Sequence, residues 1–319
     1  MKPLVASEDE YEDLLGQWSD LESGLAVILA HPDSAQEFEA RIRQYGRWLQ
    51  DLSWRDADLA LYLLFQLASH SPVVGYSASH ALVCGVLCHL LAEDFDLPGD
   101  ERACLVHAAF TMNVAMTELQ NQLAAQQLKP SAEQQILIND HAARGVALLR
   151  GIGIHDALWL EIVRGHHPVK PREAAPELSE RARYLAHMLG MVDRYAAMIS
   201  PRQSRDARSA KESARNVLEN STEYDNPVGQ ALVRVIGMYP PGTYVQLDDQ
   251  RVAVVTRKGK LANMPDVAVV LDKSGEPIRP PQLHPTATGR PHIVDALPAS
   301  VTRERLNHHL ILQLGTQAS

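Results

Sequence analysis

Ala157-Leu158-Trp159-Leu160-Glu161-Ile162-Val163-Arg164-Gly165-His166-His167-Pro168 is an apolar, helix-like run that closes on two adjacent imidazoles and a proline. Neighbouring residues of a helix point about 100° apart, so both rings reach one site only where the helix ends and its last turn opens. Pro168 marks such an end, because it lacks the N–H that another turn would need. Taken alone, the pair also has a plain reading, with one imidazole hydrogen-bonded in the core and the other in water. The surrounding chain has to decide.

Upstream, residues 7–30 place Leu14, Leu15, Trp18, Leu21, Leu25 and Leu29 at helical spacing. Ser34 reads as the N-cap of a helix over 35–52, and a leucine-rich helix runs from about Asp56 to Ala68. After Pro72 the helical pattern covers 76–95 and resumes to Met116. Short helices follow to Leu128, and Lys129-Pro130-Ser131 opens a helix over 132–150. Downstream, 178–200, 207–219 and 227–238 keep the helical period. At Met238-Tyr239-Pro240-Pro241-Gly242 the pattern changes, and 243–247, 251–256 and 267–271 read as short β-branched strands. The expected organisation is an N-terminal helical region (1–72), a helical domain (73–238), a small β appendage (239–276) and an irregular, proline-dotted tail (277–319) with a possible last helix over 302–314.

A chain of 319 residues that is 45% apolar can bury a substantial core. No apolar run approaches the roughly 20 residues that span a bilayer, and the first residues lead directly into acidic ones. A cytoplasmic protein without a membrane segment is expected. The net charge of −9 opposes binding to nucleic-acid polymers, so an anionic ligand needs a local basic patch. Cys84 and Cys88, at i, i+4 spacing beside Leu87 and Leu91, read as small core residues.

Eight histidines lie between His70 and His167, enough clustering to ask for a metal site built from separate helices. His80 lies among Val83, Cys84 and Leu87, and His141 among Leu137, Ile138 and Leu148, so both face inward. Asp193 shares an apolar face with Leu189, Ala196 and Ala197, where an ionised carboxylate needs compensation. Either a metal or an arginine such as Arg205 or Arg164 could supply it. His80 and His141 equally admit the reading of satisfied core histidines. Gln120, Asn121, Gln122, Gln126 and Gln127 read as a polar helix face.

The order of His80, Ala108–Met116, His141, His166-His167 and Val192–Ser200 resembles an HD-GYP domain, the metal-dependent branch of the HD superfamily that hydrolyses cyclic di-GMP. Met238-Tyr239-Pro240-Pro241-Gly242-Thr243-Tyr244-Val245 is similar to the strand-forming segment that often follows the helices in that family. The likeness covers roughly residues 73–272. It implies a mainly α fold: an HD-type helical bundle with an N-terminal helical extension and a small β-rich C-terminal appendage. His80, His141, His166, His167 and Asp193 are the metal ligands it implies. Arg202 and Arg205 match two arginines of the family's Ser-x-Arg-Pro-Tyr-Arg segment and with Lys170 could form a local phosphate site, although the basic turn equally admits the reading of a solvated loop.

The departures are equally specific. Met112 and Asn113 stand where the family has its His-Asp doublet, Met116 stands at its lysine, and Tyr76 where some members place a glutamate ligand. Ala196 replaces a second aspartate, and no Gly-Tyr-Pro follows His167. A carboxylate bridges two metals because it carries charge and two oxygens, whereas Asn113 offers one neutral carbonyl oxygen. One divalent transition metal (Fe, Mn or Zn) is therefore expected rather than a two-metal centre. The resemblance implies a catalytically impaired protein of bacterial cyclic di-GMP signalling, a sensor of the nucleotide or a scaffold for a protein partner. The alternative is an active metal-dependent phosphodiesterase with a rearranged site.

Overall fold

The computed structural model describes residues 8–70, 75–167, 177–203, 207–219, 226–261, 263–298, 301 and 306–316. Lys170 and Arg205 lie outside these residues.

Helices dominate. An N-terminal set comprises α1 (Glu8–Ala30), α2 (Phe38–Arg55) and α3 (Ala57–His70). Ser34 does not cap α2: its hydroxyl donates to the His31 carbonyl and closes a 3-10 turn over Pro32–Ser34. The helix starts only at Phe38, after Glu37 in the left-handed region. Asp56 caps α3 by accepting from the Leu59 amide at 3.0 Å.

Helix α4 (Tyr76–Asp94) is the axis of the molecule, with every residue from Tyr76 to Ala92 buried. A helix surrounded on all sides has no polar stripe to keep, which accounts for its run of Ala, Ser, Gly, Val, Leu and Cys. At Gly85 an added Cβ would collide with the Phe110 ring, so the missing side chain lets α5 (Gly99–Thr111) approach. Then follow α6 (Thr117–Ala125), α7 (Ala132–Gly151), α8 (Ala157–Gly165), α9 (Glu180–Ile199), α10 (Ala210–Glu219) and α11 (Asn226–Ile236). Three of these have side-chain caps of the kind their sequences announce. Ser131 and Gln134 form a reciprocal capping box on α7, Asp156 accepts from the Trp159 amide, and Ser179 accepts from the Ala182 amide.

A five-stranded antiparallel sheet closes the fold, in the order β4-β3-β2-β1-β5. Its strands are β1 (Tyr244–Leu247), β2 (Val252–Leu261), β3 (Met264–Leu271), β4 (Pro277–Pro285) and β5 (Ile293–Leu297). The two-residue period divides its faces. Tyr244, Val252, Val254, Ala268 and Val270 join the helical core, while Val245, Leu247, Ala253, Val255, Val267 and Val269 make a small core of their own on the other side. β4 and β5 occupy a stretch expected to be irregular. Both are edge strands, where Pro277, Pro280, Pro281 and Pro285 of β4 can lack an amide N–H without breaking a ladder on both sides. A final helix, α12 (His308–Thr316), packs against the sheet.

Candidate metal centre

Three elements converge where the opening stretch ends. His166 is the C-cap residue of α8, so its backbone leaves the helix there, and His167 follows immediately. His141 comes from the buried side of α7. The three rings cluster, with centroids 5.1 Å apart for His141 and His166, 4.9 Å for His141 and His167, and 4.1 Å for His166 and His167. The first two are buried and His167 is exposed, so the cluster opens to solvent at one corner.

Local packing fixes this arrangement. The Trp159 indole donates to Thr111 Oγ1 at 2.8 Å, tying α8 to α5. At Gly165 an added Cβ would run into Leu178, and at Gly190 into the His166 carbonyl oxygen. These two glycines let α8 and α9 lie close enough to bring Asp193 towards the histidines.

The hydrogen bonds decide the tautomers. His141 Nδ1 lies 2.5 Å from the Ile138 carbonyl oxygen, and His166 Nδ1 lies 2.7 Å from that of Val163. A carbonyl only accepts, so each Nδ1 carries the hydrogen. Burial, the largest influence, lowers the His141 imidazole below its ordinary range although the Ile138 carbonyl pulls the other way. Burial also lowers His166, to about 3, and the neighbouring His167 and His141 add to it. Neutral rings with Nδ1–H leave both Nε2 atoms as bare lone pairs, and these face each other at 3.2 Å. Two opposed lone pairs repel unless an electrophile lies between them. A tetrahedral ion with metal–nitrogen bonds of about 2.0–2.1 Å would hold two such atoms about 3.4 Å apart. The Nδ1–H to backbone-carbonyl bond is also the usual way of orienting a metal-binding imidazole. The donor set therefore fits a metal ion.

A second group adjoins the first. His80 Nε2 lies 2.8 Å from Asp193 Oδ1, and Cys84 Sγ lies 3.6 Å from the same nitrogen. In each group the ligand-type atoms lie within 4.8 Å of one another. Burial alone would raise the Asp193 carboxyl. The hydrogen bond with His80 and the pull of that ring outweigh it and hold the group well below the usual carboxylate range. The compensation that Asp193 needs thus comes from His80. Tyr76 stacks on the His80 ring at 5.9 Å and 14°, and the Arg202 guanidinium lies 5.2 Å over Tyr76 while its Nε donates to the phenol oxygen at 3.2 Å.

Met112 is fully buried in the apolar core, and Asn113 begins the 3-10 turn Val114–Met116. Three contributors escaped the sequence reading. Cys84 was readable, because four residues after His80 places it on the same helical face. Gln120 and Asn121 are not a solvent face: they accept from the Ser77 hydroxyl at 2.7 Å and the Ser77 amide at 2.9 Å, anchoring the start of α4. Nothing in their local spacing announces that partner.

A protein of Pseudomonas aeruginosa named as a cyclic di-GMP phosphodiesterase is 29% identical to this chain over 121 residues, which is 37% of this chain and 29% of the relative. The chain thus matches well under two thirds of that relative's length. No family model matches the chain, and no solved structure matches it significantly. No described helix is long and apolar enough to cross a membrane.

Proposed function

We propose that this chain is a degenerate HD-GYP-like protein of bacterial cyclic di-GMP signalling, impaired as a phosphodiesterase, that senses the nucleotide or serves as a scaffold for a protein partner. The observation that carries the reading is a contrast. His141 and His166 present bare Nε2 atoms at 3.2 Å, while the positions of the family's His-Asp doublet, just after α5, hold a core methionine and a neutral asparagine. His141, His166 and His167 would hold one divalent ion (Fe, Mn or Zn), and Asp193, kept anionic by His80, would offset its charge. A bound ion would supply positive charge for a phosphate oxygen. Arg202, held over Tyr76 beside His80, is one described cation near the site, and Lys170 and Arg205 would complete the proposed phosphate contacts. The reading places the chain in the cytoplasm, with the nucleotide.

Two-metal hydrolysis needs a bridging group to hold its ions together, and Asn113 is a poor replacement for a carboxylate. The partial likeness to a phosphodiesterase favours a second reading, an active enzyme with a rearranged site. Metal analysis of protein purified without chelators, together with a cyclic di-GMP turnover assay, separates the two. The expected result is bound metal that includes one ion per chain at His141, His166 and His167, nucleotide binding, and no linear product. Linearisation that His166→Ala abolishes would overturn the proposal in favour of the enzyme. Less than about a tenth of an ion per chain would overturn the metal assignment.

A further inference from the structure

We infer that Cys84 acts as a thiolate ligand, with His80 and Asp193, in a second and separate site for a soft divalent cation, zinc before manganese or magnesium. The inference rests on the metal-binding reading of this region and extends it to a residue that reading leaves out.

His80 and Cys84 stand one turn apart on α4, and i, i+4 spacing turns both side chains to one face. Asp193 of α9 meets them there, and the three ligand-type atoms lie within 4.8 Å of one another. The Nε2 to Sγ separation is 3.6 Å. A tetrahedral zinc ion with bonds of about 2.0–2.1 Å to nitrogen and 2.3 Å to sulfur holds such a pair about 3.5–3.6 Å apart. Charge agrees with geometry: a thiolate and a carboxylate together neutralise a divalent cation, which buried surroundings demand. The positions just after α5 supply no anion, because Met112 and Asn113 are neutral. The anionic donors come instead from α4 and α9. Sulfur sets the preference, since a thiolate favours zinc over ions that prefer all-oxygen surroundings. Binding releases the Cys84 thiol proton to water, and the hydrogen that His80 Nε2 donates to Asp193 leaves that nitrogen for Nδ1 or for water.

Neither other cysteine has this setting. Cys88 is one turn further along the same helix, and Cys104 Sγ lies 3.6 Å from both oxygens of Asp156.

The test is cobalt(II) titration of the full chain after chelator treatment, read by absorption spectroscopy. A sulfur-to-cobalt charge-transfer band in the near ultraviolet is expected, with a stoichiometry of two ions per chain. Cys84→Ser should remove the band and lower the stoichiometry to one, whereas Cys88→Ser should leave both unchanged. Visible d–d bands without the charge-transfer band would overturn the thiolate assignment while leaving an ion at the three histidines. Absence of all cobalt bands would overturn both. Loss of the band in Cys88→Ser but not in Cys84→Ser would also overturn the assignment. Zinc-edge X-ray absorption on the unaltered protein needs no variant: sulfur scattering at about 2.3 Å supports the site, and nitrogen and oxygen scattering alone overturns it.

Discussion

Gly190 has the most exacting position of any single residue near the centre, because a Cβ there would meet the His166 backbone oxygen rather than a movable side chain. Gly190→Ala should cost about 2 kcal/mol by forcing α8 and α9 apart. It should also weaken metal retention by about tenfold or more, since the carbonyl it displaces belongs to a proposed ligand residue. Chemical denaturation and metal analysis of the same preparation would check both. His107 poses a different problem. It is buried beside Trp159, its Nδ1 has no hydrogen-bond partner among the described residues, and its pKa is lowered to about 4. Burial is the main cause, and Arg43 and Arg47 add to it while Asp156 opposes them. Between the ordinary value and about 4 the unfolded chain binds a proton that the folded chain refuses. Stability is therefore fully present above about pH 6.5 and is lost as pH falls towards 4, by an amount on the order of 3 kcal/mol from this ring. His107→Leu should lose correspondingly less stability between pH 7 and 4, measured as the difference between two denaturation series.

At the scale of elements, caps and periodicity made much of the helical architecture legible. Ser131 with Gln134, Asp156, and the apolar stripe before His166 each act locally, and a local signal survives in sequence. Asp156 does more than cap. It accepts from the Trp159 amide, pairs with Arg43 Nη2 at 3.1 Å and lies beside Cys104 Sγ, so it joins the start of α8 to α2 and α5. Asp156→Ala should cost about 1–2 kcal/mol, above an isolated cap, while Asp156→Asn should restore part of that through the cap alone; thermal unfolding would show the order. Strands β4 and β5 were not legible, because prolines that forbid a central strand are compatible with an edge, and edge position is a tertiary fact. The candidate centre divides in the same way. His80, His141 and Asp193 could be named from inward-facing positions and His166 and His167 from the family resemblance, yet their separation into a histidine trio and a His-Cys-Asp trio depends on how α4, α7, α8 and α9 cross.

Across the whole molecule, one apolar cluster runs from Leu14 on α1 through α4 to Val254 on β2 and Leu312 on α12, so the sheet is built into the helical body. Polar contacts reinforce that junction. Gln66 of α3 donates to the Gly242 carbonyl at 2.6 Å, and Tyr62 shares a 2.8 Å hydrogen bond with His308. The strongest link is Arg257 of β2, whose two terminal nitrogens contact the two oxygens of Asp56 at 3.1 and 2.5 Å, while its Nε donates to the Gly315 carbonyl at 2.7 Å. Both side chains are nearly buried, at 14% and 6% exposure. Removing one partner strands a buried charge, so Asp56→Ala should cost about 3–5 kcal/mol, including the lost cap on α3, and Arg257→Met a similar amount. The double variant leaves no charge unpaired. It should cost about 2 kcal/mol or more less than the sum of the single changes, and it should unfold in one transition, because the shared core still joins sheet to helices. Denaturant unfolding of the four proteins measures this coupling directly. Strict additivity would mean that the pair does not bind the sheet to α3, and a separate early transition for the sheet would mean that the apolar junction alone cannot hold it.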